Sequence, residues 1–171
     1  PFFVITLTPI IIGLFAFLAR RGKKVSTPRK IAIGMGIAAL AYIFLMIYSG
    51  QKGYPSALDF KSLDVGIQNA MKAGPWVLIV TYFFLTVAEL FISPLGISFV
   101  TKVAPKHLLG LCQGLWLGAT ALGNLLIWIG PLMYNAMPLW QCWLVFAVVC
   151  FISMGVMFGM VKWLERITGD D

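Results

Sequence analysis

The chain has 171 residues, of which 60% are hydrophobic and 11% charged, and its formal net charge is +7. Soluble domains are usually about 45–50% apolar and about 25% charged, so these few charges cannot cover a water-exposed surface. The composition excludes a soluble enzyme and a disordered tail, argues against nucleic acid as a partner, and places most of the chain in a lipid bilayer.

Five apolar stretches follow one another along the chain, at residues 1–19, 31–48, 75–101, 108–131 and 139–161. About 20 apolar residues form a helix that crosses a hydrocarbon core of about 30 Å. The stretches lack the in–out alternation of membrane β-strands. We therefore predict an all-α integral membrane protein with five transmembrane helices. The first stretch opens on Pro1 without a signal pattern, so we expect a fragment of a longer protein.

Ten of the thirteen basic residues lie in the segments 20–30, 102–107 and 162–171. The extracytoplasmic loop 49–74 and the segment 132–138 hold the other three. By the positive-inside rule, 20–30 is a cytoplasmic loop and the C-terminus is cytoplasmic, in a cell (inner) membrane. The alternative is that the 20–30 cluster binds nucleic acid or anionic lipid.

Two of the loops between the predicted spans contain residue patterns that are typical of helices. Before the second span, Ser26 or Thr27 is a candidate N-cap, and Pro28 suits the first helical turn. In the long extracytoplasmic loop, apolar residues at helical spacing predict a short surface helix within 57–71.

Glu89 is the one charged residue in the interior of a predicted span. A charge at the bilayer centre is costly, so such a residue usually faces a bundle interior or an aqueous cavity. Helical spacing places Tyr82, Thr86 and Ser93 on the same face. No other span carries a basic residue at depth, so a charged partner would be a substrate, a proton or a segment outside the chain. The alternative is a structural carboxyl bonded to a neighbouring helix.

Pro94 and Gly96 follow directly after this polar face. Proline removes a backbone hydrogen bond and glycine loosens the next turn, so we expect the helix to be interrupted at 93–96 and to hinge there. Broken spans near the midplane are a recurring feature of transporters.

The fourth span carries a second polar stripe, formed by Gln113, Trp116, Thr120 and Asn124. Trp116 lies too deep for an interfacial aromatic belt, which favours a cavity wall over the belt alternative. Glycines at four-residue spacing in the fourth and fifth spans predict close helix packing: Gly110, Gly114, Gly118, Gly155 and Gly159.

The sequence holds no pair of His or Cys residues with metal-ligand spacing, no Ser-His-Asp arrangement and no glycine-rich phosphate loop. We therefore predict that the chain is not an enzyme and takes no metal or organic cofactor.

The run Glu89–Pro105 reads Glu-Leu-Phe-Ile-Ser-Pro-Leu-Gly-Ile-Ser-Phe-Val-Thr-Lys-Val-Ala-Pro. It closely resembles the tenth span of the proton-dependent oligopeptide transporter family, in the major facilitator superfamily. Gly114-Leu115-Trp116 with Gly123-Asn124 resembles the eleventh span, and Pro1-Phe2-Phe3-Val4 resembles part of the eighth. The resemblance implies most of the C-terminal half of a major facilitator fold, from the eighth to the twelfth span.

The resemblance also implies a function, namely a C-terminal fragment of a proton-coupled symporter of di- and tripeptides. Glu89 would receive the amino terminus of the peptide, with Ser93 nearby and Trp116 in the pocket. A carboxylate withdrawn from water can hold a proton until an ammonium replaces it, so protons are the expected coupling ion. Together with the polar stripes, the predicted substrate-binding residues are Glu89, Ser93, Trp116, Tyr82 and Asn124. The predicted hinge residues are Pro94 and Gly96.

The expected partners are small peptides, the bilayer and the missing N-terminal half of the same transporter. The acidic first-span motif of the family (Glu-x-x-Glu-Arg-Phe-x-Tyr-Tyr) and its seventh span are absent from the chain. The side chains beside Trp116 also differ, since Cys112-Gln113-Gly114 replaces a frequent Met-Met-Gly. We therefore expect no transport by this chain alone. Two alternatives stay open: a facilitator-type transporter of a non-peptide solute, or a small helical accessory subunit of a membrane complex.

Overall fold

The structure, a computed structural model, describes residues 2–21 and 26–168, and the regular elements in these ranges are all helical. The α-helices are α1 (Phe2–Arg20), α2 (Thr27–Lys52), α3 (Ala57–Ser62), α4 (Val65–Ala70), α5 (Pro75–Val103), α6 (Leu109–Leu125), α7 (Ile129–Ala136) and α8 (Leu139–Thr168). Short 3₁₀ turns at Lys106–Leu108 and Leu126–Trp128 flank α6. Pro1, Lys23 and Lys24, which entered the topology prediction, lie outside the described residues.

Within residues 2–21 and 26–168, four helical stretches are long and apolar enough to cross a membrane. They are Thr27–Ser62, Pro75–Val103, Lys106–Ala136 and Leu139–Arg166. Each contains one of the predicted spans. The remaining predicted span, 1–19, corresponds to α1, in which Phe2–Gly13 is a shorter apolar helix. The prediction of an all-α membrane protein is confirmed.

Helix α2 is the centre of the bundle, and it packs along α5 on one side and along α8 on the other. A Cβ built on Gly34 would lie 2.7 Å from Phe91 Cβ of α5, and one built on Gly36 would lie 2.9 Å from Met154 Sδ of α8. Small residues let helix backbones approach closely inside a membrane. These two glycines therefore allow α2 to contact both neighbours at once.

The close packing predicted at the glycines of the fourth and fifth spans is not observed. Within the described part of the chain, nothing lies within 4 Å of a Cβ built on any of them: Gly110, Gly114, Gly118, Gly155 and Gly159. Four-residue spacing marks a narrow strip on a helix but does not specify which neighbour covers it. Within the described chain, α6 contacts α5 through a different strip, which contains Trp116, so close packing at these five glycines stays a prediction.

Helix α5 runs from Pro75 to Val103 with Pro94 inside it, so the predicted interruption at 93–96 is wrong. Proline removes a single amide donor. The hydrogen bonds of the turns before and after it hold the helix together, because the other residues keep their donors.

The surface helix predicted within 57–71 is divided into α3 and α4. The chain is extended at Leu63, with φ −74° and ψ 151°, and Asp64 then occupies the N-cap position of α4 without a side-chain hydrogen bond to that helix. In α3, the Ser56 hydroxyl accepts a hydrogen bond from the Asp59 amide at 3.3 Å, which is the usual role of an N-cap serine.

An ion pair joins the start of α2 to the end of α8. Arg29 Nε lies 2.7 Å from Glu165 Oε1, and Arg29 Nη2 donates to Glu165 Oε2 at 3.0 Å. The Ser26 hydroxyl also donates to Glu165. Ser26 is the N-cap of α2, one of the two predicted caps, and Pro28 lies in the first turn as expected. We call this end of the bundle the basic end, because the described residues of the basic segments 20–30, 102–107 and 162–168 lie here.

Candidate functional site

Glu89 lies on an open cavity of about 490 Å³ between α1 and α5. The cavity is lined by the first turn of α1 and by one face of α5: Phe2, Phe3, Val4, Leu78, Ile79, Tyr82, Thr86 and Glu89. Residues three and seven apart share a helix face, which is why Tyr82 and Thr86 accompany Glu89 as the spacing predicted. The ring of Phe3 meets the ring of Phe83 edge-on, with centroids 6.1 Å apart, and this contact holds α1 against α5.

The cavity combines a single charge with an apolar wall. Glu89 is exposed, and no basic side chain in the described ranges forms a salt bridge with it. The other lining residues are uncharged, and their polar groups are the hydroxyls of Tyr82 and Thr86. An apolar pocket with few polar groups is typical of a small-molecule site, and an unpaired carboxylate favours a ligand with one positive charge.

Ser93 and Pro94 lie one turn beyond Glu89 on α5, and both side chains are exposed. Neither is among the residues that line the Glu89 cavity. Their predicted roles in substrate binding and hinge motion stay predictions.

Trp116 lies at a second and smaller cavity of about 120 Å³, between α5 and α6. The residues lining it are Ile97, Val100, Gln113, Trp116 and Leu117. The Trp116 indole lies directly against Gly96 of α5. Within the described chain, Trp116 is therefore next to the continuation of the Glu89 helix and not in the wall of the Glu89 cavity.

Asn124, the last of the predicted binding residues, lies in the final turn of α6 and is exposed. It lines neither of these two cavities. The structure thus brings Glu89 and Tyr82 together in one cavity and leaves the predicted contributions of Ser93 and Asn124 untested.

The sequence that forms this arrangement matches a known protein family. The profile described as the POT family matches residues 1–157, which is most of the chain. The chain belongs to the POT family. The matched residues include α1, α5 and α6, which carry the polar face of Glu89 and the Trp116 contact.

Among curated relatives, the POT chain is 28% identical over 180 residues to the dipeptide and tripeptide permease B of Shigella dysenteriae, covering 98% of this chain and 34% of the relative. It is 26% identical over 183 residues to the permease B of Salmonella typhimurium, covering 98% and 33%. It is 29% identical over 116 residues to the permease B of Edwardsiella piscicida, covering 68% and 21%. The chain spans about a third of the length of the first two relatives.

Sequence reasoning missed one buried acid of this POT chain, Glu165, which is 8% exposed. Its position near the end of the last span suggested a solvent-exposed residue. The available signal was an acid placed between Lys162 and Arg166, in a segment of opposite charge. Its neighbours on α8 gave no sign of Arg29, because that partner comes from a distant helix.

Proposed function

We propose that this POT chain is the C-terminal part of a proton-coupled transporter of di- and tripeptides, and that Glu89 binds the amino terminus of the peptide. The observation that carries the proposal is the exposed carboxylate of Glu89 in an otherwise uncharged, largely apolar cavity. The relatives named dipeptide and tripeptide permeases, which match 98% of the chain in two cases, support peptides as the substrate class.

The chemistry of coupling follows from competition for one carboxylate. Once the missing half of the transporter closes the cavity, an unpaired carboxylate there would be costly, because little water would solvate its charge. A bound proton removes that charge, and a peptide ammonium neutralises it instead. The peptide ammonium therefore displaces the proton from Glu89, and the two move together only if the proton passes to a second acceptor, which the missing N-terminal half would supply. Protons are the only coupling species the proposal requires.

The proposal also specifies how the chain is oriented in the membrane and which part of the transporter completes it. The basic end would face the cytoplasm of a cell (inner) membrane, which leaves the C-terminus on the cytoplasmic side. The N-terminal half of the transporter would close the Glu89 cavity, since transporters of this kind hold substrate between two halves that rock about a midplane site. The large apolar side chains exposed on α5 and α6, such as Ile79 and Leu122, would contact that half or the bilayer.

Replacement of Glu89 by glutamine in the complete transporter tests the proposal. The amide keeps the size of the side chain but carries no charge, so it neither takes up a proton nor pairs with an ammonium. Uptake of a radiolabelled dipeptide into proteoliposomes with a proton gradient is expected to fall at least tenfold, with unchanged membrane insertion.

The matched control is Asp64→Asn, which removes an exposed acid from the loop between α3 and α4. It is expected to leave uptake unchanged. Wild-type uptake by the Glu89→Gln transporter would refute the role of Glu89. Competition by free amino acids as strong as that by peptides would refute the substrate class.

A further inference from the structure

A further cavity, of about 320 Å³, lies at the end of the bundle opposite the basic end. We call it the loop-end cavity, because the loop that contains α3 and α4 forms one of its sides together with the ends of α2, α5, α7 and α8. Its lining residues are Leu45, Tyr48, Ser49, Tyr54, Phe60, Met71, Lys72, Ala73, Val77, Leu78, Tyr134, Leu139 and Trp143. Only Leu78 also lines the Glu89 cavity, so the two cavities are different sites.

The turn that ends α2 builds one wall of this cavity. Gly53 has φ 63° and ψ 37°, a left-handed conformation that favours glycine. The amide of the next residue, Tyr54, donates to the Ser49 carbonyl oxygen at 3.2 Å, which completes a helix-ending turn of the Schellman type. The chain thereby folds back on α2, and the Tyr54 ring lies beside the Tyr48 ring with centroids 6.3 Å apart.

The loop-end cavity has a buried side and an exposed side. Ser49 of α2 and Val77 of α5 are each 2% exposed and lie on the buried side. Lys72 and Ala73, which join α4 to α5, are exposed. The cavity therefore opens at the surface next to Lys72.

The lining of the cavity is aromatic and aliphatic, with one charge. Lys72 is the one charged residue that lines it, and Lys72 forms no salt bridge with any described residue. Four of the lining residues are of the kinds that concentrate at the membrane–water interface, namely Tyr48, Tyr54, Tyr134 and Trp143. Because the ends of three membrane-length helices meet here, we place the cavity at the depth of the lipid headgroups.

We propose that the loop-end cavity binds one anionic phospholipid, with an acyl chain against the apolar lining and the phosphate at Lys72. The cavity volume is within the usual range of ligand sites, about 300–1,000 Å³. A small hydrated anion would gain nothing from the apolar walls, whereas a lipid satisfies both the walls and the cation. A zwitterionic lipid brings its own cation, so Lys72 favours an anionic headgroup. The proposal does not rest on peptide transport by the chain.

The test measures lipid binding to the purified complete transporter in phosphatidylcholine vesicles. A small fraction of the lipid is replaced by phosphatidylglycerol with bromine near the headgroup end of one acyl chain, since bromine quenches tryptophan emission. The signal is the part of the emission that Trp143→Phe removes. Its quenching is expected to saturate, and to reach half its maximum at about fivefold lower mole fraction than with equally brominated phosphatidylcholine, which is the preference one lysine provides. The measurement needs no peptide, and the vesicle presents lipid on both sides.

Three variants separate the cavity from general surface charge. Lys72→Gln is expected to bring the half-saturating fraction of the anionic lipid to that of phosphatidylcholine. Lys61→Gln is the matched control, because Lys61 is an exposed lysine of α3 that does not line the cavity, and it is expected to change neither lipid. Ala73→Phe keeps Lys72 but adds a ring at the opening, and is expected to weaken the binding of both lipids at least fivefold.

Four results overturn the proposal. Equal half-saturating fractions for the two lipids in the wild type would remove the headgroup preference. The same loss in Lys61→Gln as in Lys72→Gln would assign the preference to the charge of the whole loop. Wild-type binding by Ala73→Phe would place the lipid outside the cavity. Displacement of the anionic lipid by inorganic phosphate would assign the site to a free anion.

Discussion

Replacement of Gly34 by alanine is expected to separate α2 from α5. The added methyl group would lie 2.7 Å from Phe91 Cβ, 3.0 Å from Ile92 Cγ1 and 3.2 Å from the Ala88 carbonyl oxygen. A Cβ and a carbonyl oxygen move only with their backbone, so two of these three neighbours cannot rotate away. The helices themselves have to shift, along the contact that holds the centre of the bundle.

The magnitude follows from two opposing effects. A methyl group forced into a well-packed contact costs about 1–3 kcal/mol in the free energy of unfolding. Alanine also favours the helix over glycine by about 1 kcal/mol. Gly34→Ala is therefore expected to lose about 1 kcal/mol net. Gly118→Ala on α6 gains the helix preference alone, because its methyl group meets open space among the described residues. The two variants should differ by about 2 kcal/mol, which is the packing cost itself.

The assay is equilibrium unfolding of the purified complete protein in mixed micelles, followed by the helical circular dichroism signal. Gly36→Ala gives an intermediate case, since its nearest neighbour is the flexible Met154 Sδ at 2.9 Å. Equal stability of the Gly34→Ala and Gly118→Ala variants would show that α2 and α5 do not pack as closely as described.

Three further predictions concern other contacts. Arg29→Gln and Glu165→Gln are each expected to lower the free energy of unfolding by about 2 kcal/mol, since the hydrogen bonds involve charged groups. The double variant should lose no more than either single one, and fully additive losses would contradict the pairing. Ser56→Ala removes the N-cap of α3 and should cost about 1 kcal/mol locally, seen as faster amide exchange at Asp59 and its neighbours, with unchanged exchange counting against the cap. Tyr82→Phe keeps the ring in the Glu89 cavity and should raise the peptide KM less than tenfold; a complete loss of uptake would show that the hydroxyl is essential.

The part of the candidate site that lies on one helix, α5, could be predicted from the sequence. A lone acid in an apolar span identified Glu89, and the period of the α-helix placed Tyr82 and Thr86 beside it. Both inferences use distances of a few residues along the chain. The contact between Trp116 and Gly96 could not be predicted in the same way, because it depends on how α6 is rotated against α5.

The fold shows the same division between local and distant signals. The length of the apolar stretches predicted the membrane helices, since the thickness of the bilayer fixes how many residues a spanning helix needs. Glycine spacing did not identify the close helix contacts of the described chain, which are made at Gly34 and Gly36. Pro94 did not break α5, because the loss of one hydrogen bond is small beside those that remain.

The Arg29–Glu165 pair also has a consequence for the time order of assembly. Its two residues are 136 positions apart in the chain. A ribosome that adds about 5–20 residues per second takes roughly ten seconds to synthesise that interval. During this delay the first turn of α2 has its arginine but not the acid that will neutralise it, and α2 lacks α8, one of its two main packing partners. Helix α2 is thus synthesised well before its packing is complete, and a chaperone or insertase that shields α2 would act in this interval.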